Sequence, residues 1–207
     1  TRRRPGLISG LGLALLVASC GGSGTDSTFK GHRPWPERQV GAFSLPEVAP
    51  GRVSRPFMFA ARPGGVLIVH FGFVNCPDAC PTVLRDIRGA LRALGTDAAR
   101  VEVAFATVDL ERDVPAMIAP YLASFIAGGH ALRAENTAQL AGVESRFGAA
   151  SSVVKDAGGE FQVSHTSVTY LVDDQGRIVL EWPFGTASAD LAHDLRLALH
   201  RARAAGR

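Results

Sequence analysis

The stretch from Val66 to Leu94, VLIVHFGFVNCPDACPTVLRDIRGALRAL, constrains this chain more than any other. Val66, Leu67, Ile68, Val69, Phe71 and Phe73 form a near-continuous apolar run rich in β-branched and aromatic residues, the pattern of a strand buried on both faces. Beyond a short loop, Val83, Leu84, Ile87, Leu91 and Leu94 recur at three- and four-residue steps, which predicts an amphipathic helix that stops at Gly95. Cys76 and Cys80 fall at the handover, where the free N–H groups of the first helical turn favour negative charge and therefore thiolate. Pro77 and Pro81 remove two backbone donors and stiffen the loop, so the pair reads as a two-pronged thiolate clamp.

Around this centre the chain alternates strand and helix patterns. Phe43 to Leu45 and Pro56 to Phe59 are candidate edge strands, with Pro63-Gly64-Gly65 as the turn into the central strand, and Val101 to Leu110 is a second core strand. Asp113 and Pro115 are suited to cap and start a helix that buries Met117, Ile118, Tyr121, Leu122 and Phe125, with a kink or restart at Pro120. Ala131 to Arg133 is a short strand, and Asn136 with Gln139 opens a helix through Phe147 in a capping-box pattern. Gly158-Gly159 marks a β-hairpin just ahead of His165. Ser167 to Asp173 and Ile178 to Trp182 pair across the turn Asp174-Gln175-Gly176, and Ser188 caps a last helix carrying Leu191, Leu195 and Leu199.

The first 19 residues read as a targeting segment: Arg2, Arg3 and Arg4, then an apolar stretch from Gly6, ending in Val17-Ala18-Ser19-Cys20. That ending resembles a bacterial lipobox, which implies cleavage before Cys20 and lipidation of its sulfur. Gly6 to Ser19 is 14 residues, short of the roughly 20 a membrane-spanning helix needs. Removal of the three arginines takes 22 basic residues to 19, against 19 acidic. The mature domain is then formally neutral, and with no basic stripe of interleaved aromatics there is no nucleic-acid footprint. Residues 20–40, rich in Gly, Ser, Thr and Pro, are expected to be a flexible tether. The remaining residues, 41–207, suffice for one domain with a single core.

Three cysteines less the lipidated Cys20 leave one pair, Cys76 and Cys80. A bridge closing so short a loop restrains little chain entropy, so a purely structural disulfide explains the pair poorly. In an oxidising compartment the pair drifts to disulfide unless a metal or a reductant holds it reduced.

The loop FGFVNCPDACP resembles the signature of the Sco/SenC family of thioredoxin-like copper proteins, which help assemble cytochrome c oxidase. Thr107 to Pro115, TVDLERDVP, is similar to that family's second motif, and Val163 to Gly176, VSHTSVTYLVDDQG, to its third. The resemblance implies an α/β thioredoxin-like sandwich, a central mixed sheet flanked by helices with an inserted β-hairpin. It implies Cys76, Cys80 and His165 as ligands of one copper ion per chain, and a supporting role for Asp109. Two thiolates and one imidazole suit Cu(I) and also accept Cu(II) or zinc, whereas calcium and magnesium want oxygen. Asp78, exposed by its pattern, either tunes the thiol pair or holds the turn. Ser164 stands where the family commonly has an acidic residue before the histidine, a departure that bears on metal affinity rather than metal identity.

The function so implied is a copper metallochaperone for the dinuclear centre of cytochrome c oxidase, lipid-anchored to a bacterial membrane with its domain facing the periplasm or the exterior. Its expected partners are the oxidase's copper-binding subunit and a periplasmic copper donor or thiol reductant. The rival reading is a thiol-disulfide reductase that acts on the oxidase subunit through a Cys76–Cys80 redox pair. General thioredoxin-type oxidoreductases carry a cis-proline opposite their cysteines, and His165-Thr166-Ser167 has none, which favours copper handling. A peroxiredoxin-like peroxidase would leave His165 unexplained. His70, inside the buried strand, reads more naturally as a hydrogen-bonded core residue than as a ligand. His32 belongs to the tether, His193 and His200 share a solvated helix face, and His130 lies in a Gly-rich loop.

Overall fold

The computed structural model describes residue 1, residues 28–49 and residues 54–205. The expected signal segment and Cys20 lie outside the described residues. The central strand is β3 (Val66–Gly72), every residue of which is buried. It pairs in parallel with β4 (Val101–Thr107), which pairs in parallel with β5 (His130–Arg133). On its other side β3 meets β8 (Val168–Val172) antiparallel, and β8 meets β9 (Ile178–Pro183). β1 (Ser44–Glu47) and β2 (Arg55–Met58) extend the far edge, giving a seven-stranded mixed sheet in the order β2-β1-β5-β4-β3-β8-β9. β6 (Ser151–Lys155) and β7 (Phe161–His165) form a separate two-stranded hairpin, the expected insertion.

Among the described residues four α-helices complete the fold: α1 (Ala79–Leu94), α2 (Pro115–Phe125), α3 (Thr137–Phe147) and α4 (Ser188–Ala205). The predicted periodicity of α1 holds, since Cys80, Val83, Leu84, Ile87, Ala90 and Leu94 are its buried side chains. Phe71, on one face of β3, packs edge-on against Phe147 of α3 and Tyr170 of β8. Each such buried aromatic or aliphatic side chain contributes about 1.5–3 kcal/mol relative to exposure. On the opposite face His70 and Gly72 lie beside Phe105 of β4, which meets Tyr121 of α2. The capping of α3 is as expected, with Asn136 accepting from the Gln139 N–H at 2.9 Å.

Three expectations need correction. Helix α2 runs through Pro120 without a restart, because a proline this close to the start removes a hydrogen bond only to the first turn. Met117 is 39% exposed rather than core, since α2 turns only Ile118 and Leu122 fully inward. The expected tether is docked over its described part. Val40 is fully buried, His32 and Gln39 form bridges to Glu181 and Arg177, and the buried Asp194 carboxylate accepts the N–H groups of Lys30 and Gly31, each at 2.8 Å. Trp35 stands out from this segment at 95% exposure.

Candidate metal centre

The C-terminal end of β3 opens into the cysteine loop, and antiparallel pairing places the start of β8 beside that same end. Thr169 is the Cα partner of His70, so the residues just before Val168 reach the level of Phe73. This brings His165, at the end of β7, to the cysteine loop, where its ring stands edge-on to Phe73 with 5.9 Å between centroids. His165 Nδ1 lies 3.1 Å from the Thr166 carbonyl oxygen. A carbonyl only accepts, so Nδ1 carries the hydrogen and Nε2 keeps a free lone pair, the arrangement of a metal-ligating histidine. Burial lowers the pKa of His165, opposed by the Thr166 hydrogen bond, which keeps that lone pair available.

Cys76 and Cys80 are both free thiols, Cys76 half-buried and Cys80 fully buried. The Cys80 N–H, one of the free donors of the first turn of α1, points at Cys76 Sγ at 3.3 Å. The expected ease of forming a thiolate fails for Cys80, where burial pushes the thiol up. A backbone hydrogen bond from Phe73 opposes this, and negative charge on Cys76 and Asp113 adds to it. Cys80 Sγ sits over Gly72: a Cβ there would stand 2.7 Å from the sulfur and 2.9 Å from the Phe105 ring, so only glycine lets the sulfur settle against the strand.

The second motif supports this corner. Asp109, fully buried, holds Arg112 Nε at 2.5 Å, and the Arg112 guanidinium lies over Phe161 of the hairpin (4.5 Å) and beside Phe73 (6.0 Å). Asp109 thereby orients the cation that ties the His165-bearing hairpin to the cysteine loop. Asp113 is not the helix cap its position suggested. Val114 occupies that place, while the fully buried Asp113 carboxylate accepts from Thr107 Oγ1 at 2.5 Å and from the Val74 N–H at 2.9 Å, pinning the loop two residues before Cys76. Its pKa is raised by burial, against those two hydrogen bonds. Asp78 is exposed at the N-cap of α1 and makes no side-chain capping bond.

Three polar atoms near this corner are buried without a partner: His70 Nε2, Asp113 Oδ1 and Tyr121 Oη. Among the described residues, no group of three or more His, Cys, Asp or Glu side chains is gathered tightly enough to hold a metal ion. The two thiols and His165 share one end of the sheet. Of the other histidines, His130 is held by Glu47 at 2.7 Å, and His193 Nε2 donates to the Thr28 carbonyl at 3.0 Å. The roles of Arg112 and Asp113 escaped the sequence reading because an aspartate before a proline signals a cap whether or not tertiary structure recruits it.

The SCO1/SenC family model matches residues 40–200. An SCO2-like protein of Rickettsia typhi is 27% identical over 135 residues, 64% of this chain and 66% of that protein. The chain thus spans just under two thirds of that relative's length. Among solved structures, Bradyrhizobium japonicum ScoI with copper bound is 32% identical with a TM-score of 0.63, covering 74% of this chain and 95% of that one. Apo Sco1 of Thermus thermophilus is 28% identical with a TM-score of 0.65, covering 86% and 97%. The three ordered motifs, the mixed sheet with its inserted hairpin and these likenesses place the chain in the SCO1/SenC family.

Proposed function

We infer that this protein binds one copper ion through Cys76 Sγ, Cys80 Sγ and His165 Nε2 and delivers it to the dinuclear copper centre of cytochrome c oxidase. The observation that carries this reading is the pair of free thiols clamped at the start of α1, with a bare imidazole nitrogen at the same end of the sheet. The donor set is soft to borderline, which fits Cu(I) and tolerates Cu(II). Asp113 holds the loop, Gly72 leaves room for the Cys80 sulfur, and Asp109 with Arg112 holds the hairpin that carries the third donor. The copper-bound ScoI of Bradyrhizobium japonicum supports copper as the ion.

Copper titration of the reduced protein beside Cys76→Ser, Cys80→Ser and His165→Ala tests the reading. One equivalent of Cu(I) in the wild type and weakened binding in each variant are expected. No stoichiometric uptake, or wild-type affinity in His165→Ala, overturns it. We further propose that Cys20 carries the lipid anchor and that the domain works outside the cytoplasmic membrane. Among the described residues, no helix is long and apolar enough to cross a membrane.

One observation favours a thiol-disulfide reductase that acts on the oxidase's copper-site cysteines. Cys76 is half-exposed and receives a helix N–H, while Cys80 is buried with a raised pKa, the asymmetry of an attacking and a resolving sulfur. Exchange with an oxidised two-cysteine peptide separates the readings, and a pair inert to exchange excludes the reductase.

A further inference from the structure

His70 is the one histidine of β3, only 1% exposed, and its environment differs from that of an ordinary core residue. Its Nδ1 lies 3.0 Å from Thr169 Oγ1. Nε2 is buried without any partner. With the ring hydrogen on Nδ1, donated to Thr169 Oγ1, Nε2 is left as a lone pair with no partner. The neighbouring ring is His165, 6.2 Å away between centroids and nearly perpendicular.

His165 has the same arrangement, with Nδ1–H given to the Thr166 carbonyl and Nε2 bare. Two bare nitrogens cannot hydrogen-bond to each other; a water donating to both or a cation bound by both satisfies them. Side chains two apart on a strand share a face, so Gly72 follows His70 on the face where Cys80 Sγ rests. His70, His165 and the Cys80 sulfur therefore border one end of β3. Metal–imidazole bonds of about 2 Å put each ring centroid about 3 Å from a shared ion, so two such rings stand roughly 4.5–6 Å apart. The observed separation meets that range after a shift of about 1 Å by the half-buried His165.

Resting on the copper reading above, we propose that His70 is a second imidazole donor at the copper centre, its Nε2 meeting the same ion as His165 when the ion is Cu(II). Cu(I) is satisfied by two soft thiolates, whereas the harder Cu(II) gains more from a second nitrogen. His70 therefore sets the relative affinity for the two oxidation states rather than the capacity to bind copper.

The test is pulsed electron paramagnetic resonance of the Cu(II)-loaded full chain, which counts coordinated imidazoles through their remote nitrogens. Two imidazoles are expected in the wild type and one in each of His70→Gln and His70→Phe. Cu(II) affinity should fall by about tenfold or more and Cu(I) affinity by less than about threefold in both variants. Thermal melts of the apo proteins establish that the variants fold. Copper bound with a single imidazole in the wild type overturns this inference and leaves the three-ligand reading standing. Two imidazoles retained after His70→Gln, or equal loss of Cu(I) and Cu(II) affinity, also overturns it. Absence of copper binding in the wild type removes both readings.

Discussion

Replacing Asp113 by alanine should loosen the cysteine loop without touching either sulfur. Its carboxylate is fully buried and accepts from Thr107 Oγ1 and from the Val74 N–H, so truncation strands two buried donors. Each stranded group costs about 1–3 kcal/mol, and removal of a buried carboxylate that is itself poorly solvated offsets roughly one of them. The expected net loss is about 2 kcal/mol, or roughly 4–8 °C in Tm for a chain of this size. Asp113→Asn keeps an oxygen for both donors and should lose less than about 1.5 kcal/mol. Burial raises the folded-state pKa of Asp113, so its contribution to stability is fully present below the ordinary carboxylate value of 3.8 and is lost as pH rises through the raised one. The stability advantage of wild type over Asp113→Asn should therefore shrink as pH rises from acid towards neutral. Urea unfolding of the reduced apo-protein across that range measures all three proteins. The potential of the Cys76–Cys80 pair reads the loop directly, with about 30 mV for each 1.4 kcal/mol of differential stabilisation. An Asp113→Ala stability within about 0.5 kcal/mol of wild type, with an unchanged potential, would refute the pinning argument.

Gly72→Ala should cost about 1–3 kcal/mol by overpacking and shift the thiol titration of Cys80, because the new methyl meets the sulfur at 2.7 Å. Unchanged alkylation kinetics and stability would show that the sulfur does not rest there. The His70 pKa is pushed down from 6.5 to about 3, first by burial and then by His165. Stability present above pH 6.5 should be lost as pH falls towards 3, by up to about 4 kcal/mol, and His70→Phe should remove that acid limb from urea melts. Asp194→Ala strands the N–H groups of Lys30 and Gly31 and the Trp182 indole N–H, so hydrogen exchange at residues 30–32 should rise sharply if that carboxylate is what docks the segment. Arg112→Ala removes the cation over Phe161, and nuclear magnetic resonance relaxation should report faster motion of β7 with little change in β3. Equal motion in both proteins would assign the hairpin's position to other contacts.

Local pattern carried a great deal here. The buried strand, the helix after it, the capping of α3, the hairpin and the antiparallel pair β8–β9 were all legible, because each depends on periodicity or turn chemistry within a few residues. Segments that touch far along the chain were misread. Residues 28–40 have a linker's composition, yet Asp194, some 160 residues later, turns part of them into a docked strap. Asp113 has a cap's sequence context, and only the approach of Thr107 and Val74 makes it a loop pin.

The thiol clamp was settled by the sequence, since two cysteines at the start of one helix lie close together whatever else the chain does. Which imidazoles stand near that end of the sheet was decided by tertiary structure. His70 and His165 are 95 positions apart, and antiparallel pairing of β3 with β8 is what brings their rings to 6.2 Å. Strand register is a long-range choice made by burying a whole sheet face, so the neighbouring of His70 and His165 becomes visible only once the sheet is assembled.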